Sequence, residues 1–146
     1  MNLKTPPSLK TEHEELHAEL ARAERSGGAT GKAAKAVAKA LHPHFLKEEE
    51  YASPPLGLLP ALASSKISPD MREAIAMTDR LKVDLEPMLL EHEEIVKSLK
   101  VLTEASEMGK KSEFVHFAEK LVLHAKNEEE VLYPASMLVG EYLKLP

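Results

Sequence analysis

LHPHFLKEEEYASP, Leu41 to Pro54, and LVLHAKNEEEVLYP, Leu121 to Pro134, are one pattern written twice. Aligned without a gap, they share the leading Leu, a His, three consecutive Glu and the closing Pro. A second pattern precedes each copy. Glu12-His13-Glu14-Glu15 and Glu91-His92-Glu93-Glu94 lie 31 residues (His13 to His44) and 32 residues (His92 to His124) upstream. The chain therefore reads as two equivalent halves, about residues 8–52 and 69–134, each a helical hairpin. Two hairpins with one apolar side each bury that side by packing together, so the expected fold is all-α: an up-down-up-down four-helix bundle in a single domain, 1–146.

Working outward, the first helix is expected to start near Ser8 or Thr11 as N-cap and to end at Ser26-Gly27-Gly28. A second helix runs from about Thr30 to about Ala52, bent at Pro43. Residues 53–68, with Pro54, Pro55, Gly57 and Pro60, form the longest irregular connection, and their leucines predict that they pack over one end of the bundle. Ser68-Pro69-Asp70 marks the next start, a capping Ser followed by Pro in the first turn and an acid at the positive helix end. That helix continues to about Ser106 with a kink near Pro87. Ser112 caps the fourth, which reaches about Tyr133 and is bent or ended by Pro134, leaving Val139–Pro146 as a tail.

Positions four apart on an α-helix turn through ~400° and rise about 6 Å, so they share a face. His44 with Glu48, His124 with Glu128, and His13 with His17 are such pairs; His92 aligns with His13, and Val96 takes the place of His17. Their neighbours Leu16, Leu20, Leu41, Phe45, Ile95, Leu99, Leu121 and Val131 are core-type residues. A lone His on such a face is ordinarily a hydrogen-bonded core residue, and an isolated HxxxE a surface pair. Four helices that each present a His, two with a matched Glu, are not explained that way. Buried imidazoles and carboxylates are unfavourable unless paired or bound to a cation. His13, His17, His44, Glu48, His92, His124 and Glu128 are thus candidate metal ligands. Five imidazoles and two carboxylates exceed the needs of one ion, and two ions bridged by the glutamates would use them all. Glu49 and Glu129 are rotated away from their histidines and read as solvated charge. His42, ~200° around the helix from His44, is expected to be exposed, and His116, about 12 Å from His124 along the axis, to lie outside the cluster.

Composition narrows the rest. The absence of cysteine excludes disulfides, thiolate iron–sulfur ligation and cysteine nucleophiles. A net charge of -5 with no basic, aromatic-interleaved patch argues against a nucleic-acid partner. Met1–Lys10 lacks the apolar stretch of a secretory signal, and no apolar run approaches the ~20 residues that span a bilayer. A cytoplasmic protein without membrane contact is expected.

On these residues the chain resembles the hemerythrin-like, HHE cation-binding family over nearly its whole length, from the His13 block to Tyr133-Pro134. The resemblance implies a non-haem, carboxylate-bridged pair of iron ions: His44 and His124 each on one iron, Glu48 and Glu128 bridging, and His13, His17 and His92 completing the set. In the respiratory members the third helix supplies two histidines and the first one; here His13 and His17 are on the first helix and His92 stands alone. On that pattern one iron takes His13, His17 and His44, and the other takes His92 and His124 with an open position for dioxygen or a related diatomic. His and Glu also suit zinc or manganese. The expected function is binding or sensing of a small diatomic ligand. The alternatives are a di-iron oxidoreductase acting on peroxide, nitric oxide or iron, and a metal-stabilised interaction module docking a protein through Leu56–Leu62. The sequence marks no outer-shell acid, channel or partner redox module.

Overall fold

Apolar side chains at three- and four-residue spacing give each long segment one buried stripe. The computed structural model describes residues 3–146, so the first two residues of the expected domain lie outside the described residues. α1 (Pro7–Arg25) starts with proline in its first turn, its N-cap being Pro6 rather than Ser8 or Thr11. Gly27, at φ +72°, supplies the left-handed turn into α2 (Gly28–Lys47). After the connection come α4 (Ala74–Met108), which runs through Pro87, and α5 (Ser112–Asn127). α2 packs against α1 and α4, and α5 against α4 and α1, closing the four-helix bundle.

Both Glu runs leave the α-helical path. Glu48–Ala52 and Glu128–Leu132 are π turns, in which Ser53 N–H bonds to Glu48 O at 2.8 Å and Tyr133 N–H to Glu128 O, each five residues back. The cause is the proline that closes each repeat. Pro54 and Pro134 have no N–H, and in an α-helix their rings would collide with the carbonyl four residues earlier. Opening the turn by one residue removes the collision, and π turns of this kind recur at functional sites. Beyond Pro134 the chain is not a loose tail: α6 (Tyr133–Lys144) continues the fourth arm. The π turn also shifts the helical phase, so Val131, expected in the core, is 53% exposed, while Tyr133 is buried.

Residues 54–58 form a 3-10 turn and Leu59–Ala63 a short α3. Pro54, Pro55, Leu56 and Leu58 are buried against α4 and α6, so the connection does cover one end of the bundle. Ser68 precedes a 3-10 turn, Pro69–Glu73, and its hydroxyl donates to the Asp70 side chain instead of capping the backbone. The largest core cluster fills the α1–α2–α4–α5 interior around Leu20, Val37, Leu41, Phe45, Leu99 and Leu121. A second, with Tyr51, Leu81, Met88 and Tyr133, lies toward α6. His92 falls between Met88 of the second cluster and Ile95 of the first, and His44 beside Leu41 and Phe45 of the first, so the polar layer is bordered by both.

Candidate metal centre

Each bundle helix delivers one imidazole to that layer: His13 from α1, His44 near the end of α2, His92 from mid-α4, His124 near the end of α5, all buried. Glu48 and Glu128 enter at the start of the two π turns and are 0% and 3% exposed. Two histidine pairs result. His13 Nε2 lies 3.2 Å from His124 Nε2, and His44 Nε2 lies 2.9 Å from His92 Nε2. Glu128 spans them, with Oε1 3.2 Å from His92 Nε2 and Oε2 3.3 Å from His124 Nε2. Glu48 Oε1 is 3.3 Å from His44 Nε2. Donor atoms of His13, Glu48, His124 and Glu128, and separately of His44, His92 and Glu128, lie within 4.8 Å of one another, so each group can hold a cation.

The outer faces of the rings determine what the inner faces can do. His44 Nδ1 is 2.8 Å from Glu91 Oε1, His92 Nδ1 is 2.9 Å from Glu129 Oε1, and His124 Nδ1 bonds to Glu12. An ionised carboxylate only accepts, so the neutral tautomer it selects in each of these rings has the proton on Nδ1 and the lone pair on Nε2. His44 and His92 therefore turn two lone pairs toward each other across 2.9 Å. Tyr133 O–H, 3.1 Å from Glu48 Oε2 and 3.2 Å from both His44 and His92 Nε2, offers them a single proton among three acceptors. Protonating His44 is disfavoured. Burial pulls His44 down to about 4 despite the pull of Glu91, and burial with neighbouring imidazoles does the same to His13. Burial likewise pushes Glu48 well above the carboxylate range, and its Oε1 has no hydrogen-bond partner. Facing lone pairs, an orphaned buried carboxylate oxygen and rings locked from outside are the donor set a divalent or trivalent cation satisfies.

The pairing differs from the expected one. His13 and His44 do not share a group; α1 faces α5 and α2 faces α4, which sets His13 against His124 and His44 against His92. His17, one turn beyond His13, falls outside both groups. It is half-buried, stacked on His42 (centroids 5.1 Å apart) and edge-on to Phe45 at 4.9 Å. Phe45 in turn stacks on His13 at 4.2 Å, so an aromatic ring occupies the space through which His17 would reach the centre. His42 and His116 are exposed. Four side chains that contact the histidine layer were given no role in the sequence reading. Glu12 and Glu91 immediately precede His13 and His92, and that repeated Glu-His dipeptide was the available signal. Glu129, taken as solvated charge, does point away from His124 but reaches His92 on α4. Tyr133 comes to the centre because the π turn brings the residue five after Glu128 round to its face; its repeat counterpart is Ser53.

Among the described residues no helix is long and apolar enough to cross a membrane. Residues 7–136 match the family model described as the Hemerythrin HHE cation binding domain. No curated protein and no solved structure matches the chain.

Proposed function

The chain belongs to the hemerythrin HHE cation-binding domain family, and from that premise we propose that it is a non-haem di-iron protein whose centre binds a small oxygen-bearing or diatomic ligand, dioxygen among them. His13, His124, Glu48 and Glu128 would hold one ion; His44, His92 and Glu128, with Glu48 and Tyr133 beside them, the other. The observation that carries this reading is the pair of Nε2···Nε2 contacts with carboxylates set between them and, on three of the four rings, a carboxylate behind Nδ1. Bound iron would supply reversible one-electron redox change and a coordination position for the ligand.

The protein's own part is positional. Glu12, Glu91 and Glu129 orient the imidazoles and keep their basic nitrogen inward. Tyr133 holds a proton next to Glu48, its own acidity suppressed first by burial and then by that carboxylate. Leu16, Ile95, Leu121 and Phe45 exclude water from the inner side. Anaerobic loading with ferrous iron, metal analysis and optical spectroscopy before and after air tests the proposal. Two irons per chain and a new near-ultraviolet band on exposure to air are expected. Protein that retains no iron, or iron whose spectrum does not respond to oxygen, nitric oxide or peroxide, refutes it.

A further inference from the structure

The oxidisable side chains of this bundle gather on one side of the histidine layer. The chain has three Phe, three Tyr and six Met, with neither Trp nor Cys. All three phenylalanines, Phe45, Phe114 and Phe117, lie in the large α1–α2–α4–α5 cluster, whose buried residues include no Tyr and no Met. The second cluster has the opposite make-up: Tyr51, Met88 and Tyr133 are buried in it, with Met77 and Met137 packed against them. Filling space would be met by phenylalanine, which needs no hydrogen-bond partner. Tyrosine and methionine differ from it in giving up an electron far more readily.

These residues form a line from the centre to solvent. Tyr133 Oη is 3.1 Å from Glu48 Oε2, and its ring stacks on His92 with centroids 5.7 Å apart. Met88, one turn before His92 on α4, has its sulfur 3.7 Å from Tyr51 Oη. Tyr51 donates to Asp84 Oδ2 at 2.7 Å. Asp84 is 31% and its neighbour Arg80 51% exposed, so the line ends at the surface. The other half of the repeat has no counterpart. Val131 stands where Tyr51 would be, and Ser53 where Tyr133 would be.

The surroundings of Tyr51 fix how it can be oxidised. Arg80 Cζ lies 4.3 Å from the ring centroid, and a guanidinium there opposes a positive charge developing on the ring. Burial, then the hydrogen bond to Asp84, pushes the phenol above its ordinary value, so it starts neutral. A neutral phenol beneath a cation loses an electron most easily when its proton leaves as well. Asp84 already accepts that proton's hydrogen bond.

Resting on the di-iron reading above, we propose that Tyr51 is a redox-active residue that supplies one electron to the centre across the cluster it shares with Met88 and Tyr133, with Asp84 taking its proton. The oxidant is the ferric centre after reaction with hydrogen peroxide. Tyr51 gives that centre one electron and gives Asp84 the proton of its O–H, leaving a neutral tyrosyl radical. A diffusible one-electron reductant of the enediol class returns the electron at the surface beside Arg80, and Asp84 returns the proton. The centre is thereby reduced without a reductant entering the bundle.

Freeze-quench electron paramagnetic resonance of the ferric protein mixed with hydrogen peroxide tests the donor. A tyrosyl signal is expected, lost in Tyr51→Phe and retained in Tyr142→Phe, which removes the exposed tyrosine of α6. A signal that survives Tyr51→Phe, or that is absent from iron-bound wild-type protein, overturns the proposal. A metal-free measurement separates its failure from failure to bind iron. Because the chain has no cysteine, Val83→Cys, 79% exposed and next to Asp84, accepts a single ruthenium photo-oxidant in the Tyr142→Phe background. A flash should produce a tyrosyl absorption that is lost with Tyr51→Phe and forms more slowly in deuterium oxide. Asp84→Asn should slow it at least about tenfold, less than the roughly 100-fold of a fully positioned base because water can stand in for a partly exposed carboxylate. An absorption that survives Tyr51→Phe, or an Asp84→Asn rate equal to that of the parent, overturns the role of Tyr51 whether or not iron binds.

Discussion

Replacing Glu91 with alanine isolates the contribution of an outer carboxylate. Its Oε1 is 2.8 Å from His44 Nδ1, and its Oε2 accepts from Lys47 Nζ at 2.6 Å. Burial pushes the Glu91 carboxyl up, but these two hydrogen bonds outweigh it and hold the group below its ordinary value, so it is ionised at neutral pH. Lys47 is 36% exposed, and water takes over its bond when Glu91 is lost. His44 is 1% exposed and has no such replacement. The loss is therefore that of a buried N–H left without its acceptor, about 1–3 kcal/mol. It also frees the ring to tautomerise or turn, which removes Nε2 as a donor to metal. Both routes correspond to a fall in affinity of about 10–100-fold. Glu91→Gln keeps a neutral acceptor and loses the charge assistance, roughly half the bond's strength, so a fall of about threefold to tenfold is expected. Glu93→Ala, two residues on and exposed, is the control. The assay is competition for zinc, which is redox-inert, against a chromophoric chelator at pH 7. Glu91→Ala binding as tightly as Glu93→Ala would show that His44 is not oriented by its outer carboxylate, and the tautomer argument for the centre would fail with it.

Three further outcomes are expected. His17→Ala should leave metal stoichiometry at the wild-type value while His13→Ala lowers it, measured by metal analysis after desalting; a fall with His17→Ala would return that residue to the ligand set. Gly140→Ala places a Cβ 1.9 Å from Thr78 Oγ1 and 2.7 Å from Thr78 Cβ where α6 crosses α4, and Thr78 is 1% exposed and cannot swing aside. Urea titration should show a loss of about 1–3 kcal/mol from overpacking, and an unchanged midpoint would mean the two helices separate freely. In the metal-free protein, His13 and His44 sit at about 4 against an ordinary 6.5, so between those pH values the folded chain binds fewer protons than the unfolded one. Stability should drop as pH falls through that window, by at most about 3 kcal/mol per histidine, partly offset by Glu48, whose raised value acts in the opposite sense. An equal or higher urea midpoint at pH 5 than at pH 7.5 contradicts this.

What was legible in the sequence is what helical geometry makes local. His44 with Glu48 and His124 with Glu128 are four apart, and no tertiary information is needed to put each pair on one face. The repeat, the hairpin pairing and the helical class follow from the same spacing. His17 shows the limit of that spacing: i, i+4 places it on His13's face but a turn away, and it lies outside both donor groups, edge-on to Phe45 from another helix. Glu129 misled in the converse way. Its direction relative to His124 was read correctly, yet the partner that matters is His92 on α4.

The sequence alone thus determined an all-helical, internally repeated bundle with a buried histidine–glutamate layer, because period and pairing within a helix are properties of the chain itself. The tertiary structure decided which helix faces which, and with that the pairing of His13 with His124 and His44 with His92 and the carboxylate behind three of the four rings. It also decided that a proline-induced π turn carries Tyr133 to His44, His92 and Glu48, where the other repeat has Ser53 in its place. Those outcomes depend on distances between segments far apart in sequence, which packing of the whole bundle sets and no local spacing encodes.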